Sequence, residues 1–332
     1  MTLRERGWQL YDAIVATAAR KDENPWQEHD GRLRYSPDTD TLARLLAVPI
    51  RLGAPSQSGV PALALDVWVS YEFRRAGFDA DRVWPRATSP RVLPAEVIDF
   101  IAKLPRPEQA RLLARVAAEG TGGFSSANIL GKNYVKQVDV VMSSWATGPE
   151  LLISTKRMDS SFGKNAANRV EESYGDAKNL RLRYPQAALG FVYALNASAL
   201  VREPDTAAWL IDLLGKLGRE DDAYHAVALI LPDLAAQVDP PEPDELPEAQ
   251  PLQAGATELM FAEFDAGPQG PPSPDLLAEL DAVAPVGLNH EQVPAELAPA
   301  RFFEVMATRI LDNSPINFHQ QARERRRHPQ GS

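Results

Sequence analysis

Lys136-Gln137-Val138-Asp139-Val140-Val141 and, a short turn later, Glu150-Leu151-Leu152-Ile153-Ser154-Thr155-Lys156 decide how this chain is read. Both runs are rich in β-branched and apolar residues, which predicts strands over 134–142 and 151–158. Ala146-Thr147-Gly148-Pro149 between them is turn chemistry, so the two form a hairpin. Side chains alternate along a strand, which puts Ser154 and Lys156 on one face, roughly 6.6 Å apart. A hairpin centred on Thr147 and Gly148 sets Asp139 directly opposite Lys156. A carboxylate beside an ammonium at a sheet rim can hold a hard divalent cation and a water together. Glu150 shares the face of Lys156 but lies roughly 20 Å away along the strand, too far to share a metal.

Downstream of the hairpin, residues 165–183 are helical, with Ala166, Val170, Tyr174, Ala177 and Leu180 as the apolar stripe. Residues 187–195 are almost wholly apolar, as in a strand covered on both faces. A helix over 205–217 and a second apolar strand over 224–231 follow. Upstream, residues 1–120 read as mainly helical. Segments 41–48 (ended by Pro49), 62–76 (closed by Gly77), 94–104 and 107–119 carry helical periodicity, the last two with proline in the first turn. The expected class is α/β (α+β), a mixed central sheet flanked by helices, with an α/β core over 121–231 behind a helical N-terminal region.

The 332 residues hold 35 Lys and Arg against 45 Asp and Glu, a formal charge of −10. Taken whole, that argues against a protein that coats nucleic acid by charge alone. The acids are unevenly spread. Residues 232–300 hold fourteen acids, thirteen of the 28 prolines and no Lys or Arg. Without that segment the rest of the chain carries +4, and residues 131–183 alone carry +3. Composition predicts that much of 232–300 is extended, acting as a spacer or as a shield over a cationic cleft. A helix over 301–311 and an Arg-rich tail, expected to be exposed, close the chain. There is no cysteine, which excludes disulfides, thiolate catalysis and Cys-ligated metals. No apolar run reaches the roughly 20 residues of a membrane helix, and an amphipathic helix opens the chain, so a cytoplasmic location is expected.

The hairpin resembles the PD-(D/E)XK nuclease superfamily, in which an Asp on the second core strand and an acid-x-Lys on the third bind Mg²⁺ and activate water against a phosphodiester. Ser154 stands where that pattern has its second acid. A subgroup of type II restriction endonucleases, those cutting sites with a CCGG core, resembles this arrangement further. Its third strand reads Ser-x-Lys, and the acid moves to the following helix about 14 residues on. Here Asn168-Arg169-Val170-Glu171 puts Glu171 15 residues after Lys156. Glu172, about 100° round the helix, is the alternative. The resemblance spans about 130–195. It implies Asp139 and Glu171 as Mg²⁺ ligands, Lys156 as the residue orienting water, and Ser154 as a small spacer beside the relocated acid. Lys136, Arg157, Ser160, Ser161, Lys164, Asn165, Asn168 and Arg169 are the expected DNA contacts, without the paired arginines of a CCGG reader. Glu72 is a candidate supporting acid on the helix before the sheet.

Alone, an Asp and a Lys on adjacent strands are the makings of a surface ion pair. The hairpin, the Ser-x-Lys and the helix acid together favour a Mg²⁺-dependent, sequence-specific endonuclease cutting double-stranded DNA as a homodimer or higher oligomer. A less specific anti-phage nuclease, or a DNA-binding module with a degraded site, uses the same residues. The five histidines are widely separated and suggest no metal cluster, and the Ser143-Ser144 and Ser160-Ser161 pairs lack a partnered base.

Overall fold

The computed structural model describes residues 1–118, 127–160, 162–219, 221, 223–234 and 274–331. Helices run α1 Leu3–Ala16, α2 Thr39–Arg51, α3 Val60–Arg75, α4 Ala95–Ala102, α5 Arg106–Ala118, α6 Phe162–Arg181, α7 Ala199–Arg202, α8 Pro204–Leu217, α9 Pro274–Asp281, α10 Pro299–Asn313 and α11 Gln320–Arg327. Strands run β1 Trp26–His29, β2 Arg32–Tyr35, β3 Val83–Trp84, β4 Ala127–Leu130, β5 Val135–Val138, β6 Val140–Ser144, β7 Gly148–Met158, β8 Ala188–Leu195, β9 Ala226–Ile230, β10 Pro232–Asp233, β11 Gly287–Leu288 and β12 Gln330–Gly331.

The central sheet has five strands in the order β3-β6-β7-β8-β9. The β3–β6 and β6–β7 pairs are antiparallel, and β7–β8–β9 are parallel. The parallel strands follow crossover helices, as such pairing demands. Every residue of β8 and β9 is buried, which is why both read as unbroken apolar runs. Side chains from alternate positions feed two cores. Val140, Met142, Leu151 and Ile153 pack with α1, α2, α3 and α10, whereas Val141, Leu152, Leu189 and Phe191 pack with α6 and α8. The result is a mixed sheet between two helical layers. No helix among the described residues is long and apolar enough to cross a membrane.

Several local expectations change. The strand expected over 134–142 divides at Asp139 into β5 and β6, and β5 pairs with β4 as a ribbon beyond the sheet. Pro49 does not end its helix, which runs to Arg51 with the proline in its last turn. There the proline forgoes one bond, to the carbonyl one turn back, and only Ile50 and Arg51 of the helix follow it, so any bend it causes is confined to the helix end. Asp30-Gly31 turns the β1–β2 hairpin with both residues at positive φ, 50° and 68°, the geometry of a two-residue hairpin turn. The Arg-rich tail is packed rather than loose. Arg323 donates to the carbonyls of Leu311, Ser314 and Phe318, and Arg326 lies over the ring of Trp26.

Candidate active site at the sheet rim

The site begins with a mismatch in strand length. β6 pairs with β7 only as far as Val140 opposite Ile153, while β7 continues beside β8 to Met158. On the β6 side, the main chain of β7 beyond Ile153 therefore lacks a strand. Asp139 fills that role, its Oδ2 accepting from the Thr155 N–H at 2.8 Å. The register differs from the expected one. The turn closes with Ser144 opposite Gly148, so it is centred on Ala146 rather than on Thr147 and Gly148. A bulge between Met142 and Ser143 takes back one residue of that shift, leaving Asp139 level with Ser154 rather than opposite Lys156. The slip is by two residues, so Asp139 and Lys156 keep one face as diagonal neighbours. Burial raises the pKa of Asp139, against the opposing pull of the Lys156 ammonium and the Thr155 N–H.

Thr155 points the other way, toward α3. Its Oγ1 donates to Asp66 Oδ1 at 2.6 Å. Thus two carboxylates grip one residue, Asp139 through its main chain and Asp66 through its side chain. Asp66 is 4% exposed, and burial holds its carboxyl well above the ordinary range, with the Asp139 charge adding to the rise. Sequence reading passed over Asp66. The signal was there, since Asp66 is the one acid in the otherwise apolar run from Val60 to Val69, and a charge at such a position needs a reason.

Lys156 Nζ stands 3.9 Å from Glu172 Oε1. Lys136 Nζ bridges Glu172 Oε1 at 3.3 Å and Asp176 Oδ2 at 2.5 Å. Tyr134 donates to Asp176 Oδ1 at 3.1 Å. Burial works against the Lys136 ammonium, but the Asp176 and Glu172 carboxylates outweigh it and raise its pKa. Beneath them the buried Tyr224 hydroxyl donates to the carbonyl of Ser173 at 3.0 Å. Asp176 was not anticipated either, though it lies one turn after Glu172 on the same helix face.

The remaining expected residues divide. Glu171 is exposed, and Glu172 turns toward Lys156, the reverse of the expected order on α6. Ser154 is 5% exposed, on the face of Lys156. Arg157 is held by Asp159 at 2.7 Å and by the Pro61 carbonyl at 3.4 Å, so it sits in the protein rather than at its surface. Lys136 is engaged as described, Ser160 is half-buried and Asn168 exposed. Ser161 and the side chains of Lys164, Asn165 and Arg169 lie outside the described residues. Glu72 belongs to another network, accepting from Arg75, from the Tyr35 hydroxyl at 3.0 Å and from the Asp38 N–H at 2.8 Å. Burial pushes its carboxyl up to about 7, against the pull of Arg75.

Among the described residues no group of three or more His, Asp or Glu is placed to hold a metal ion. The Asp66–Asp139 pair is smaller than that. A buried carboxylate, Asp66, and a half-buried one, Asp139, each with its pKa raised, suit a hard cation that takes one or two protein carboxylates and completes its octahedron with water and substrate phosphate. Compared with known proteins, the chain matches no family model, no curated protein and no solved structure.

Proposed function

We propose that this protein is a Mg²⁺-dependent endonuclease of restriction type, hydrolysing phosphodiesters of double-stranded DNA. The observation that carries the reading is the convergence at Thr155, where Asp139 from the β5–β6 junction and Asp66 from α3 meet beside Lys156. Asp139 and Asp66 are the residues that would hold Mg²⁺, which when bound supplies Lewis-acid polarisation of the scissile phosphate. Lys156 orients the attacking water and offsets charge building on the phosphate. Glu172, 3.9 Å from Lys156, is a positioning residue that steers the ammonium. Ser154 keeps the space beside Lys156 small and polar. A target of two-fold symmetry requires one site per strand and therefore a homodimer.

A second reading, a DNA-binding module without catalysis, is favoured by the exposure of Glu171 and the lack of a three-ligand group among the described residues. Incubation of the purified protein with plasmid or phage DNA, with and without Mg²⁺, separates the two. Discrete Mg²⁺-dependent fragments are expected. A smear points to a less specific nuclease, and intact DNA with retained binding points to the module. Lys156→Ala should end cutting while leaving the thermal unfolding curve in place, and residual cutting would mean that Lys156 is not in the site.

A further inference from the structure

The ribbon of β4 and β5 has two unlike faces. Its register pairs Ala127 with Val138, Asn128 with Gln137, Ile129 with Lys136 and Leu130 with Val135. Alternation puts Ala127, Ile129, Lys136 and Val138 inward, where Ala127 and Val138 are buried and Lys136 meets α6 at Glu172 and Asp176. Asn128, Leu130, Val135 and Gln137 face outward and are exposed, as are Lys132 and Asn133 at the tip. On that outward face Leu130, 38% exposed, and Val135, 36% exposed, lie opposite each other between the amides of Asn128 and Gln137.

The tip is nonetheless held firmly. Asn179 of α6, 2% exposed, accepts from the Asn133 N–H at 2.8 Å and donates to the Tyr134 carbonyl at 3.1 Å. Its own carbonyl accepts from the Lys132 N–H at 2.8 Å. Gly131 lies so close to the Asn179 amide that a Cβ there would overlap it. Exposed side chains on a clamped backbone are the attributes of a reading surface, because little ordering is left to be done on binding. Residues 120–138 contain no acid, and Lys132 is the cation on the exposed part of the ribbon, Lys136 being paired with Glu172 and Asp176 on the inner face. The Asn128–Gln137 end of the ribbon runs straight into Asp139, so what touches that end lies beside the candidate active site, with the tip about 20 Å further out.

We propose that the ribbon of residues 127–138 enters the major groove of the DNA and reads bases there, an inference that rests on the nuclease reading above. A two-stranded ribbon fits that groove. Asn128 and Asn133 carry the paired donor and acceptor that match an adenine edge, Leu130 and Val135 offer apolar contact to a thymine methyl, and Lys132 meets guanine or a flanking phosphate.

The test compares wild type with an Asn128→Ala/Asn133→Ala double variant and with Lys132→Ala. Cleavage, and binding in the Lys156→Ala background, are measured on a cognate fragment and on a scrambled one. The double variant is expected to lose tenfold or more in the cognate-to-scrambled ratio with an unchanged melting curve. Lys132→Ala is expected to lower the ratio likewise if it reads guanine, or to weaken both fragments alike with a shallower salt dependence if it meets phosphate. Wild-type cutting at a fixed sequence with the ratio intact in the double variant would overturn the ribbon assignment and leave the nuclease reading standing. Wild type that neither binds nor cuts DNA would remove the nuclease reading and the ribbon assignment with it. A change in oligomeric mass in the double variant would make the ribbon a contact between copies of the chain and overturn the groove assignment.

Discussion

Thr155 is the smallest unit on which the site turns. Its N–H and its hydroxyl serve two carboxylates from separate parts of the chain, the half-buried Asp139 and the buried Asp66. Thr155→Val keeps the shape but removes the donor to Asp66. The expected cost is about 1–3 kcal/mol, that of a buried acceptor left without its donor, read from urea unfolding, with Thr155→Ser recovering most of it. No change in the valine variant would mean that the Oγ1–Asp66 bond is absent in solution. The two neighbouring glutamates make a second comparison. Glu172→Ala should lower cleavage about 10- to 100-fold, the usual effect of removing a residue that orients a catalytic group, while Glu171→Ala leaves it unchanged. Equal losses would mean that α6 is rotated from the arrangement described.

At the scale of elements, the parallel strands were legible because complete burial leaves nothing but apolar residues in β8 and β9. The hairpin was legible from its turn, but its register was not. The three-residue loop centred on Ala146 and the bulge that partly offsets it are local choices between neighbouring hydrogen-bond ladders, and no residue between Ser143 and Glu150 announces them. Helix α6 was legible from its stripe, yet the stripe does not say which of two adjacent glutamates meets the sheet, since that depends on the rotation of α6 when it packs. Asn179 illustrates the same limit. In sequence it is an unremarked asparagine, and in the fold it holds the ribbon tip through four hydrogen bonds. Asn179→Ala should cost about 1–3 kcal/mol and speed amide exchange at Asn133 and Tyr134, whose N–H groups lose the Asn179 side-chain acceptor, more than in β8. Uniform exchange across the sheet would contradict the clamp.

On the scale of the molecule, chain ends and middle share one core. Phe303 of α10 stacks on Tyr35 and meets Trp68 and Phe73 edge-on, while Phe302 approaches Gly190 so closely that a side chain on β8 at that point would collide with it. Phe303→Ala is expected to cost about 3–5 kcal/mol of global stability in chemical denaturation, as for other buried aromatic truncations. A pH effect belongs to this scale as well. His225 accepts from the Leu189 N–H, and burial, with Arg309 and Arg181 nearby, pushes its pKa down to about 3. The unfolded chain therefore binds a proton at His225 near pH 6.5 that the folded chain refuses until about pH 3, so stability falls as the pH drops from 6.5 toward 3. His225→Gln should flatten the fall between pH 7 and 5, and an unaltered slope would place the acid sensitivity elsewhere.

The sequence by itself determined β5 to β9, the helices between them, and the hairpin that brings Asp139 near Lys156, though not β1 to β4. Hydrophobic period and turn chemistry act over a few residues and need no knowledge of the rest of the chain. Tertiary structure alone decided which acid joins them. Asp66 reaches Thr155 across 89 residues, on a helix whose angle against the sheet is set by packing from α1, α2 and α10. Contacts of that kind follow from filling a shared core, and spacing along the chain carries no record of them.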